Sequence, residues 1–285
     1  MSTIYLLSVV PSFALADKVE LNLTRNEVAY TFFDLTHGEA TLIQGINDQS
    51  VLINTGHSDS EDELKERLDM YNVSSIDTLV LTSKQIEYIG NLPWLLTNYS
   101  VDTIFIPKSL ESNFASILSN FDIEISLFEK GDKYSLLNGL NIEVLYVEER
   151  KGTDEGGCAF FIQHHDQKLL YMTIANPYVE EELVKEYDLK STMFKVPDFG
   201  SDRGTSDSLL EEVDPQIAVI FRNGEDQPSS FVLERLQETW IDIYQTSRIG
   251  TVTIKCNDED YEVITVRPSK ENILPNSWLT RNKRT

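Results

Sequence analysis

Positive charge is scarce in this chain. Twenty-four Lys and Arg stand against 47 Asp and Glu, and the formal net charge is −23. A protein that holds a nucleic acid does so through Lys and Arg that displace counterions from its phosphates, so this balance argues against a nucleic-acid partner. It favours a cationic or neutral small molecule, or another protein. The one basic cluster, "TRNKRT" at 280–285, reads as a frayed end.

Long apolar runs are also missing. No stretch beyond residue 16 reaches the roughly 18 apolar residues of a membrane-spanning helix. The first 16 residues are different: positions 4–16 are nearly all apolar or small, and Ala14-Leu15-Ala16 is an A-x-A cleavage pattern followed by Asp17. They read as a secretory signal peptide, although no Lys or Arg opens them. Export to the exterior or the cell envelope is the expectation; a start that is not a signal would leave the chain in the cytoplasm.

Reactive side chains are few. The two cysteines, Cys158 and Cys256, have no C-x-x-C spacing and form no thiolate zinc motif. In an exported chain they could pair; the alternative is two buried free thiols in strand-like surroundings. The four histidines form no H-x-H or H-E-x-x-H pattern. His37 ("DLTHGEATL") and His57 ("NTGHSDSED") each sit in a turn after a strand-like run. His164 and His165 lie in "FIQHHDQKLL", which reads as an exposed hairpin tip. A two-zinc centre built of imidazoles is not expected from this spacing. There is no G-x-S-x-G, Walker loop or G-x-G-x-x-G. "GTDEGG" at 152–157 is too acidic to cradle phosphate.

What is present is a dense alternation of strands and helices. Of 285 residues, 41% are hydrophobic and 25% charged, enough for a packed core. Thirteen short runs rich in β-branched and aromatic residues, from "AYTFFDL" to "YEVITVRP", read as strands. Helical runs separate some of them. "SEDELKERLDMY" places Ser60 and Glu63 at capping-box spacing and Leu64, Leu68 and Tyr71 on one face. "SLESNFASILSNF", "NPYVEEELVKEY", "TSDSLLEEV" and "SSFVLERLQETW" are the other helices. Hairpins come first, strand–helix units follow, and the second half repeats that order. No linker divides the chain, so residues 17–285 read as one domain of mixed sheets covered by helices.

Six segments carry a more specific pattern. They are "FFDLTHGEATLIQ", "VLINTG", "IDTLVLTSKQIEYIGNLPWLL", "KLLYMTIANPYVEEEL", "FKVPDFGSDRGTSDSLLEEVDPQIAVI" and "NGEDQPSSFVLERL". In order and spacing they resemble the metallo-β-lactamase superfamily, and within it the branch that includes the C-terminal domain of ComEC-type DNA-uptake proteins. The resemblance covers about residues 28–255. It implies an αββα four-layer sandwich of two mixed β-sheets with helices outside and a cleft at one edge.

The framework of the family's motifs is retained at Thr82, Ile89, Gly90, Pro93, Gly200, Ser201 and Pro228, but the metal-ligand slots are rewritten. Ser83 and Gln85 occupy the places of the first two ligands of the H-x-D-x-D-H loop. Glu87 and Tyr88 occupy those of its last Asp and His. Ile174 stands for the bridging Asp, Asp198 and Phe199 for the adjacent histidines of H-H-G-S, and Gln227 for the His before Pro. Asn54 replaces the Asp of I-D-T-G. Zinc takes imidazole, thiolate or carboxylate ligands, and Ile and Phe are none of these. The resemblance therefore implies no metal and no zinc cofactor. Its leading implication is an inactive, exported binding or regulatory protein using an altered cleft lined by Asp34, His37, Asn54, His57 and the rewritten slots. The alternative is a phosphodiesterase- or esterase-type hydrolase with an atypical metal or none. In it Glu87 would act as base and Tyr88 or Asp198 as acid. A hard-cation variant would use Glu87, Asp198, Gln85 and Asp34 for Ca²⁺ or Mg²⁺.

Overall fold

The computed structural model describes residues 18–149 and 156–267. The signal-peptide reading of 1–16, most of "GTDEGG" and the basic tail lie outside them. In the first half, β1 (Val28–Phe32), β2 (Thr41–Gln44) and β3 (Ser50–Ile53) form an antiparallel meander. The strands β4 (Ser75–Val80), β5 (Ser100–Pro107) and β6 (Glu124–Phe128) then add in parallel. The second half repeats this logic. Antiparallel β7 (Lys133–Leu137), β8 (Leu140–Val147), β9 (Cys158–His164) and β10 (Gln167–Met172) lead into parallel β11 (Met193–Lys195), β12 (Ile217–Ile220) and β13 (Asp242–Gln245). The last strands, β14 (Thr251–Cys256) and β15 (Tyr261–Val266), return to the first sheet beside β1.

The parallel connections need crossovers, and the helices supply them. On the first sheet these are α1 (Glu61–Met70), the short α2 (Ile86–Ile89), α3 (Leu92–Asn98) and α4 (Glu111–Leu118). On the second they are α5 (Pro177–Glu186), α6 (Asp207–Val213) and α7 (Ser230–Glu238), while the short α8 (Thr246–Ile249) leads from β13 back to the first sheet. Three apolar layers result. Tyr30, Phe32, Ile53, Phe160, Ile162, Tyr171 and Val219 meet between the sheets. Leu52, Leu79 and Ile104 pack under Leu64, Leu68 and Leu95 of the outer helices. Leu170, Phe194 and Ala218 pack under Val179, Leu209 and Val232. Strands covered on both faces read as continuous apolar runs, which is why "IAVI" of β12 is buried throughout. The αββα sandwich expected from the sequence is the observed fold.

Each of the thirteen strand-like runs corresponds to a strand. Two strands were not legible: β7 ("KYSLL"), polar at alternate positions on a sheet edge, and β13 ("DIYQ"), four residues at the other edge. The capping box at Ser60 and Glu63 does not form. Ser60 instead exchanges hydrogen bonds with the backbone of His37, and Glu63 accepts from the amide and hydroxyl of Thr36. Both residues tie the first turn of α1 to the β1–β2 loop. Cys158 and Cys256 are separate, buried free thiols, so the pairing alternative fails. Burial pushes both thiols up, Cys256 to about 12. No helix among the described residues is long and apolar enough to cross a membrane.

Candidate active site

Parallel strands end together, so the loops after β3, β4, β11 and β12 open at one edge of the sandwich, joined by the β1–β2 loop. Cross-links between the loops are short. His37 bridges Asn223, Gly56 bridges Ile89, and Ser83 bridges Gly156. The amide of Glu39 donates to the carbonyl of Glu87 (3.0 Å) and that of Thr55 to Tyr88 (2.6 Å). Gly38 permits the closest approach. At φ +87°, a Cβ there would lie 2.2 Å from Glu87 O and 2.5 Å from His57 N.

The rewritten slots have divided fates. Ser83 is buried and accepts the Gln85 amide on its Oγ (3.1 Å). Gln85 and Glu87 are partly exposed on the turn into α2. Tyr88 is buried, packs its ring 5.6 Å from that of Phe199 and donates its hydroxyl to Thr173 O (3.5 Å). Burial holds that hydroxyl protonated, well above the usual tyrosine range. Ile174 lies against Gly157, where a Cβ would meet it at 2.9 Å. Asp198 pairs with Arg203, and Gln227 is exposed. Asp198 and Phe199 both hold left-handed backbones, φ +46° and +55°, a conformation that costs a non-glycine residue roughly 1–2 kcal/mol. Tyr88 and Phe199 thus pack on each other, and neither offers a nitrogen or carboxylate donor. Asp34 faces another cleft, with Arg67 and Arg222. Among the described residues, Glu87, Asp198 and Asp34 join no group of three clustered donors.

Under these loops lies a buried charge pair that sequence reasoning missed. Glu39 and Lys195 are fully buried and in direct contact. Glu39 Oε1 accepts from Tyr171 (3.1 Å) and Asn54 (2.9 Å), and Lys195 Nζ donates to Met172 O (3.0 Å). Asn54 Oδ1 accepts from the Thr82 amide (3.1 Å) and hydroxyl (3.0 Å). Burial pushes the Glu39 carboxyl up and the Lys195 ammonium down, while each partner opposes the other's shift. The signal was present in "HGEATL" and "FKVP", as charges inside apolar runs, but a single charge in a strand does not name its partner.

The histidines were separated by 20 positions, yet the fold joins them. The rings of His37 and His57 stack at 3.9 Å and 17°. With Asp59 they form a group whose ligand atoms all lie within 4.8 Å of one another. The surroundings hold them in place. Ser60 clasps the His37 backbone, Asn91 donates to His57 O (2.9 Å), and His57 Nδ1 accepts the Asp59 amide (3.0 Å). A second group, His164, His165 and Asp258, sits at the β9–β10 turn. There the expected exposed tip is half right: His165 is exposed, but His164 is buried.

No family model matches the chain. The curated protein ComE operon protein 3 of Bacillus subtilis (strain 168) is 22% identical over 191 residues, covering 63% of this chain. The chain spans about a quarter of that relative's length (24%). The metallo-β-lactamase fold protein YhfI from Bacillus subtilis superposes with TM-score 0.59 at 9% identity, covering 83% of this chain and 99% of that one. Zn²⁺-bound PqqB from Methylobacterium extorquens superposes with TM-score 0.53 at 9% identity (73% and 85%). Igni18, a metallo hydrolase from the archaeon Ignicoccus hospitalis, does so with TM-score 0.54 at 11% (85% and 100%). The fold is that of the metallo-β-lactamase proteins.

These findings correct the expectation of a chain without a cofactor. Proteins of this fold hold metal, and this chain has His/Asp groups that could do so. The expectation rested on the family's ligand slots, which lie on several loops. Those slots do not fit a transition metal: they present Ser, Gln, Ile and Phe where nitrogen and carboxylate donors are needed. The His37–His57–Asp59 set does fit by donor chemistry, since two imidazoles and a carboxylate suit zinc and other divalent first-row ions. Tertiary structure assembled it from two loops that no linear motif connects.

Proposed function

We propose that the chain is a hydrolase of the metallo-β-lactamase superfamily, of the phosphodiester or ester class, acting at the loop edge that carries His37 and His57. One observation carries this reading: the fold gathers two imidazoles and Asp59 at the edge where its rewritten motif loop also lies. His37, His57 and Asp59 would hold a divalent ion. Parallel rings point their nitrogens side by side, so both can serve one ion only after turning apart about χ2, a soft torsion for His. Such an ion supplies Lewis acidity and a bound water of lowered pKa. Ser60 and Asn91 keep the two loops in register. Glu87, on the loop whose backbone is pinned to Glu39, would act as the general base toward water at this edge. Tyr88 is sealed against Thr173 and packs the floor instead of donating a proton. The 22% similarity to ComE operon protein 3 supports placing the chain in the ComEC-type branch.

The test is turnover of a chromogenic phosphodiester and a carboxylate ester by the purified chain with zinc, manganese or magnesium. Turnover lost in His57→Ala and in Glu87→Gln is expected. No turnover above background with any ion would sink the reading. A second reading, an exported binding or regulatory protein, is favoured by one observation: two of the rewritten slots, Tyr88 and Phe199, hold aromatic rings packed on each other in place of metal donors. It predicts no turnover and saturable binding of a partner at the same edge.

A further inference from the structure

Four of the chain's few arginines converge on one cleft. Arg67, Arg222, Arg248 and Arg267 line a depression of about 500 Å³ together with Asp34 and Glu63. They come from α1, the loop after β12, α8 and the end of β15, so the cluster is a product of the fold. Four guanidinium groups against Asp34, Glu63 and the Glu66 carboxylate paired with Arg67 leave an excess of one positive charge, in a chain whose net charge is −23.

The arginines are held in different ways. Arg67 is 3% exposed. It donates to Glu66 (3.0 Å) and Asp34 O (3.2 Å), and its Nε has no partner among the described residues. Arg222 is oriented by donating its Nε to Gly224 O (3.1 Å). Arg222, Arg248 and Arg267 form no ion pair among the described residues. Arg267 is drawn in by Gly250 at φ +91°, where a Cβ would lie 2.8 Å from Arg267 Cγ. Glu63 accepts from the Thr36 amide and hydroxyl, which fixes its carboxylate against the β1–β2 loop.

The cleft also adjoins the histidines. Thr36 lines it and precedes His37, and Gly224 donates to Thr36 O (2.9 Å) while facing the His37 ring. Guanidinium forks match the oxygens of a phosphoryl group, whose several acceptors and double charge can engage more of these donors than a monocarboxylate can.

We propose that this arginine cleft binds a phosphoryl dianion, and that it seats the phosphate of a small substrate beside His37 and His57. The second clause rests on the hydrolase reading; the first does not. The test is calorimetric titration of the full chain in metal-depleted, low-salt buffer with inorganic phosphate and with phenyl phosphate. Acetate serves as the monoanion control. Saturable one-site binding of either phosphate is expected, weakened at least tenfold in Arg222→Ala/Arg248→Ala and only partly in Arg248→Lys. Tighter binding of phenyl phosphate marks a substrate headgroup, and tighter binding of inorganic phosphate marks a free-ion site. No saturable binding, equal binding of acetate, or an unaltered double variant would overturn the proposal. Turnover is not read, so a failed hydrolase assay leaves this outcome distinct.

Discussion

The two histidine groups of this molecule contain the same residue types and differ in what their nitrogens already do. At the β9–β10 turn, His164 is buried with Nδ1 3.1 Å from Gly139 O and Nε2 3.2 Å from Asn26 O. Both ring nitrogens face carbonyls, so that ring staples the turn to the N-terminal segment. His165 beside it faces Asp258 (3.2 Å) in solvent. At the loop edge, the His37 and His57 backbones are held by Ser60, Asn91 and each other, the rings stack, and His57 Nδ1 accepts the Asp59 amide, which leaves both His37 nitrogens and His57 Nε2 without a structural bond among the described residues. A histidine is available for chemistry when at least one ring nitrogen is left uncommitted by the fold.

That contrast can be broken at several depths. The largest effect is expected at the floor of the open group. Lys195→Met leaves Glu39 buried without its partner and should cost about 3–5 kcal/mol, read as a fall in the urea midpoint. A shift below about 1 kcal/mol would mean the pair contributes little to holding the loops. Next, zinc at about a hundred times its dissociation constant should stabilise the wild type by about 2.7 kcal/mol in thermal melts. The gain should vanish in His37→Ala and persist in His165→Ala; the reverse would transfer the metal role to the β9–β10 turn. In metal-free protein, His164→Ala should cost about 1–3 kcal/mol because it leaves buried carbonyls without a partner. His37→Ala should stay within about 0.5 kcal/mol, as a partly exposed side chain without a structural bond does.

The smallest effect concerns alkaline pH. The Cys256 thiol is raised from 9.0 to about 12 by burial between the sheets. The folded chain therefore keeps a proton that the unfolded chain releases, so this contribution is complete below pH 9 and is lost as pH rises from 9 through 12. Cys256→Ala should flatten the decline of the urea midpoint over that window; an unchanged slope would assign it elsewhere.

Much of the fold was legible because sheet-forming residues announce themselves locally. "SVLINTG", "DTLVLTS" and "QIAVIF" are apolar on both sides, and both sides are covered. The edge strands β7 and β13 were not, since each has only one fully buried residue and they lie at the sheet edges. Ser60 and Glu63 show a local rule overridden: spacing suited a capping box, but Thr36 and His37 presented better partners. The candidate site was legible only as a list. The sequence named His37, His57, Glu87 and Tyr88, yet nothing local distinguished the ring that is open from the hydroxyl that is sealed.

By itself the sequence determined the layered architecture, the order of its two halves and the rewriting of the metal loop. These depend on side-chain patterns that repeat within a few residues. Only the tertiary structure decided that His37 meets His57, that Glu39 meets Lys195, and that four arginines share a cleft. Each joins residues from separate elements about 20 or more positions apart, and such contacts follow from how the strands are ordered in the sheets, which no short stretch of chain encodes.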